Sequence, residues 1–154
     1  MTGADWAEIV AAVTTTHGGD RAAGRRDLLR CWESLGDNGY AAQRCVLAHY
    51  IADLEPDLDD EVRWDERALA AYTDVQAHDL EAIGIPDAAG LAPSLHLNLG
   101  DGYRRQGRMR EAQDQLAAGL AASGSLADDG YGAMVRSGLQ RLADRLDAAA
   151  PSTQ

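Results

Sequence analysis

The chain has 154 residues, 45% of them hydrophobic, and carries 25 acidic against 14 basic residues for a net charge of −11. That is enough chain for one domain with a continuous core, and the acid excess disfavours nucleic acid, because phosphate binding needs a net basic footprint. No apolar run reaches transmembrane length and no charged start precedes an apolar signal region, so a soluble, cytoplasmic protein with no membrane partner is expected.

Capping and breaking residues predict seven helices. The first runs from about Asp5 to Thr16 and stops at Gly18 and Gly19, and Asp20 caps a second that ends at Gly36. A third, from about Gly39 to Leu54, stops before Pro56. Asp57 opens the longest, with Asp59, Asp60 and Glu61 in the first turn where the helix dipole favours negative charge. Nothing before Gly84 and Pro86 breaks it, so it is expected to reach Ile83. Leu58, Val62, Leu69 and Tyr72 form one apolar stripe on it and Trp64, Ala68, Ala71 and Val75 another, the pattern of a helix packed between neighbours. Pro93 suits the first turn of the fifth helix, Arg108 begins the sixth, and about Asp129 to Ala148 make the seventh. No stretch alternates with the two-residue period of a strand, and residues 151–154 read as a disordered tail.

From Pro93 to Leu126 the large and small residues fall in a specific order: His96, Leu99, Gly100, Tyr103, Gly107, Ala112 and Leu116. Gly100 and Ala112 let two helices approach closely, Leu99, Tyr103 and Leu116 fill the space around that contact, and Gly107 takes the left-handed turn between them. This order resembles the tetratricopeptide repeat (TPR). His96 stands where the family has Trp, Leu116 where it has an aromatic, Gly119 at the usual second Ala and Gly124 at the usual Pro. Two worn copies lie upstream, starting at Asp20 and Asp57. The first keeps the small, large, small order as Gly24, Leu28 and Cys31, while the second has Glu61 and Asp65 in place of two core residues.

The resemblance implies an all-α fold: a seven-helix right-handed α-solenoid of about three TPR-like hairpins, at about 5–35, 39–83 and 92–122, closed by a capping helix at 129–148. It implies a noncatalytic protein–protein interaction module that holds a peptide or partner helix in a concave groove, with no cofactor. Carried onto the third repeat, the groove positions are Ser94, Leu97, Asp101, Arg104 and Arg105, with Asn98 beside them. On the third helix the candidates are Val46, Tyr50 and Asp53, and on the first Trp6, Ile9 and Val13 form a stripe that serves either groove or core. The amide of Asn98 both donates to and accepts from a peptide backbone, and Arg105 suits a carboxylate with two hydrogen bonds.

Charge is unevenly spread. Between Asp53 and Asp87 twelve acidic residues face two Arg, a balance of −10, whereas Arg104, Arg105, Arg108 and Arg110 cluster around one turn. The acidic stretch is either a docking surface for a basic partner or a solvated helix face. Cys31 and Cys45 read as small buried apolar residues, with no metal spacing to the four His. A second reading is a self-associating module, a homodimer formed through an exposed repeat end. The one enzyme-like constellation is Asp74 and His78, four apart on the long helix, with His96 across the following loop, as a small helical metalloenzyme would need.

Overall fold

The computed structural model describes residues 5–36 and 39–150, and within these the chain forms seven α-helices and no strand. The tail expected at 151–154 lies outside the described residues. The chain divides into two compact units, Met1–Ala88 and Ala89–Gln154.

The first unit holds α1 (Trp6–His17), α2 (Arg21–Leu35), α3 (Ala41–Ala52) and α4 (Leu58–Tyr72). Asp5 accepts from the Glu8 amide at 2.9 Å while the Glu8 carboxylate accepts from the Asp5 amide at 3.2 Å, a reciprocal cap that fixes the start of α1. Asp20 and Asp57 cap α2 and α4 through their side chains alone, each accepting from an amide three residues on. α1 pairs with α2 and α3 with α4, while α2 also meets α3. At the first pair a β-carbon on Gly24 would collide with Thr16 Oγ1 and lie 2.9 Å from Thr16 Cβ, so only glycine permits this approach. Ile9, Leu28, Leu47, Ile51, Val62 and Leu80 are fully buried, each worth about 1.5–3 kcal/mol of apolar burial. Trp32 of α2 meets Trp64 of α4 edge to face at 5.0 Å, with Arg44 over the first indole at 5.3 Å and Arg67 over the second at 4.5 Å. The aromatic pair adds about 0.5–1.5 kcal/mol beyond its area.

α4 is much shorter than the sequence predicts, ending at Tyr72 rather than Ile83. Polar side chains compete with the helix there. Thr73 donates its hydroxyl to Ala70 O at 2.8 Å, and the amides of Asp74 and Val75 reach back only three residues, tightening the last turn. Asp79 then accepts from the Gln76 amide at 2.8 Å, which organises a turn where the helix was expected to continue. Buried Leu80 anchors this segment, and the Ala88 amide returns to Ala77 O at 2.9 Å.

The second unit holds α5 (Ala92–Arg105), α6 (Met109–Ala122) and α7 (Gly130–Ala149). Pro93 lies in the first turn of α5, and Gly107, at φ +81°, reverses the chain into α6. Arg108 closes that corner with its guanidinium 4.2 Å from the Tyr103 ring centre. The three helices meet through glycines. A β-carbon at Gly100 would lie 2.9 Å from Leu142 Cδ2 and 3.2 Å from Gln115 Cβ, and one at Gly119 would lie 2.8 Å from Leu139 Cδ2. Gly138 of α7 does the same for α5, where Leu97 Cδ2 would be 2.6 Å away. Gly119, a departure from the repeat pattern, is therefore the position on which α7 rests.

Candidate functional site

On α5 the spacing of Asn98, Asp101, Arg104 and Arg105 puts all four on one side of the helix. Asp101 is their centre. Its Oδ1 accepts from Arg104 Nε at 3.1 Å and Nη2 at 2.9 Å, and its Oδ2 accepts from Arg105 Nε at 3.0 Å. Arg145 of α7 brings a third guanidinium to 3.8 Å of Oδ1. One carboxylate thus holds three cations on two helices. The side chains stay within reach of solvent, with Arg145 57% exposed and Asp101 29%. Asn98 is half-buried beside them.

The rest of the expected α5 surface is already occupied. Ser94 is buried, its hydroxyl hydrogen-bonded to that of Tyr131, and Leu97 packs against Gly138. The sequence reading placed both in an open groove. Instead α7 covers them, because its Gly138 lets it come close enough.

Val46, Tyr50 and Asp53 belong to the first unit. Val46 is only 3% exposed and serves the core rather than a binding surface. α3 is enclosed along most of its circumference, with Ala42, Cys45, Leu47, Ala48, Ile51 and Ala52 buried as well. Tyr50 is half-buried between two imidazoles, with ring centres at 6.4 Å to His17 and 5.5 Å to His49. Asp53 caps the end of α3, and its carbonyl accepts from Arg21 Nη2 at 2.9 Å. Burial holds the His49 pKa below its ordinary value against the opposing pull of the Asp53 charge, and burial likewise raises that of Asp53. Of the first-helix stripe, Ile9 is core, while Trp6 and Val13 are half-buried.

The metal constellation does not assemble. Asp74 and His78 follow the end of α4, so the helical spacing that would align them is absent. His78 Nδ1 pairs with Glu81 Oε1 at 3.0 Å, and His96 Nδ1 meets Gln115 Oε1 at 2.8 Å, tying α5 to α6. Among the described residues no three His, Cys, Asp or Glu side chains are placed to hold a metal ion.

Both thiols are buried and free. Burial pushes Cys45 up to about 12, and raises Cys31 with help from Glu8 and Asp27. Among the described residues no helix is long and apolar enough to cross a membrane.

The spacing on α5 groups Asp101, Arg104 and Arg105 in the sequence, whereas Arg145 joins that charge cluster only because α7 packs along α5. No protein-family model, curated protein or solved structure matches the chain.

Proposed function

We propose that the chain is a noncatalytic protein–protein interaction module, built of TPR-like helical pairs, that receives an acidic peptide or helix of another protein on the face shared by α5 and α7. The observation that carries this reading is the meeting of Arg104, Arg105 and Arg145 on the single carboxylate of Asp101. One negative charge orients three guanidiniums, and their planar forks suit carboxylates with paired hydrogen bonds. Asn98, next along the same side of α5, has an amide suited to a peptide backbone. Exposed pairs of this kind contribute only about 0–1 kcal/mol to folding, so the cluster is better explained by recognition than by stability.

The test uses fluorescent peptides of equal length, one rich in Glu and Asp and one rich in Lys, titrated by anisotropy. The acidic peptide binds in a salt-sensitive manner, and Arg105→Glu weakens it about tenfold or more with an unchanged melting temperature. Equal binding of both peptides, or an Arg105→Glu variant that binds as the parent does, overturns the reading.

A further inference from the structure

A groove of about 370 Å³ runs between α1 and α2 in the first unit. Its lining comes from positions 8, 11, 12 and 15 of α1 and 27, 30, 31 and 34 of α2. Each set has the i, i+3, i+4, i+7 spacing of one helix face, so the groove is a seat between two helices with room for a third. Its floor is small, formed by Ala11, Ala12 and Cys31, and small residues allow a helix backbone to come close. Its rim is rich in acceptors. Glu8 and Asp27 bring carboxylates, and Thr15 spends its hydroxyl proton on Ala11 O at 3.0 Å, presenting oxygen lone pairs outward. Arg30 is drawn to Asp27 at 3.3 Å.

The distribution of charge between the units selects the occupant. Of the 25 acidic and 14 basic residues, seven of each fall in Ala89–Gln154, so the whole net charge of −11 resides in the first unit. Two first units therefore repel one another, and a complement from the same chain has to come from the second. There, α7 turns its apolar face to α5 and α6, while the opposite side carries Met134, Ser137, Arg141 and Arg145, all exposed. Met134 is 61% exposed, the most open large apolar side chain among the described residues of its unit. This stripe matches the seat in kind, with a flexible apolar residue for the small floor and guanidiniums for the acidic rim.

We propose that the α1–α2 groove of one copy receives the outer face of α7 from a second copy, a head-to-tail contact between unlike surfaces. One helix laid in one groove is an interface at the small end of the range, below about 1,200 Å² in total, so the association is weak and salt-sensitive. The contact shares only Arg145 with the acidic-peptide face, and its test turns on Met134 and Arg141 and needs no foreign partner.

Light scattering and sedimentation equilibrium of the full chain at low salt give the test. The average mass rises with concentration and falls back when salt is added. Ala11→Arg fills the groove and Met134→Glu spoils the helix, each at an exposed position, and each variant alone stays monomeric with unchanged circular dichroism. Mixed one to one, they form a dimer that grows no further, because one supplies an intact α7 and the other an intact groove. Should either variant fail to fold, Ser34→Arg and Arg141→Glu take their places. A parent chain whose mass does not change with concentration, or a mixture that stays monomeric, overturns the proposal.

Discussion

Gly119 of α6 and Leu139 of α7 are in contact through a missing side chain: a β-carbon on the glycine would lie 2.8 Å from Leu139 Cδ2 and 3.3 Å from His96 Cβ. Leu139 is 1% exposed and has little room to withdraw. Gly119→Val is expected to destabilise the second unit by about 1–3 kcal/mol, the usual cost of overpacking. Gly124→Ala, with nothing within 4 Å of the added carbon, is expected to leave the melting temperature within a degree or so. Thermal unfolding of the two variants side by side checks the contrast.

The first unit has its own tight contact. Gly24→Ala puts a carbon against Thr16, whose backbone Cα would be 3.0 Å away, so a rotamer change at Thr16 cannot relieve the clash fully. A loss of about 1–3 kcal/mol is expected. Gly24→Ala with Thr16→Ala should recover only the share due to Thr16 Oγ1, because the Cβ at 2.9 Å and the Cα at 3.0 Å remain, and equal stabilities for the single and double variants would contradict the contact.

Arg145 joins the Asp101 cluster only through the packing of α7, which makes it a useful probe of the proposed site. Arg145→Ala is expected to change the unfolding free energy by less than about 1 kcal/mol, because the pair it makes is exposed. The same change should weaken acidic-peptide binding severalfold. A loss of stability without a loss of affinity would make Arg145 a packing residue only.

His49 and Asp53 give opposite pH dependences. The folded-state pKa of His49 lies below its ordinary 6.5, so the unfolded chain binds a proton first and stability falls as pH drops through 6.5 toward the folded value. Asp53 is raised above 3.8, so its contribution is present below that pH and is lost as pH rises through the folded value. His49→Gln is therefore expected to flatten the acid-side decline just below pH 6.5. Urea titrations of parent and variant at a series of pH values read this directly, and parallel curves would contradict it.

Thiol labelling separates the two cysteines. Cys45 is fully buried with its pKa up at about 12, whereas Cys31 is 8% exposed and lines the α1–α2 groove. In the native protein at mildly alkaline pH, Cys31 is expected to react slowly and Cys45 only on unfolding. Mass mapping of alkylated peptides shows the order, and prior labelling of Cys45 would contradict the buried α3.

Much of the fold was legible because helix ends carry local signals. Asp5, Asp20, Asp57 and Asp129 each cap a helix as their positions predict, and Gly36 and Gly107 adopt positive φ where the chain must turn. The close approach of Gly100 to the Ala112 backbone, 3.6 Å from a built β-carbon to the carbonyl, was legible from small residues at fixed spacing. The end of α4 was not, since Thr73 and Asp79 break it through side-chain hydrogen bonds rather than through Gly or Pro. The division after Ala88 does carry a mark, since the net charge of −11 falls wholly before it. At the candidate site the sequence supplied the α5 residues, whose spacing is local. It misjudged Ser94 and Leu97, because the helix that covers them begins some two dozen residues or more later in the chain.

The most direct measurement is an amide-resolved NMR titration of the full chain with a Glu- and Asp-rich peptide. The account predicts shift changes that gather on Asn98, Asp101, Arg104, Arg105 and Arg145 and vanish in Arg105→Glu. Changes centred in the first unit, or none at saturating peptide, would contradict it.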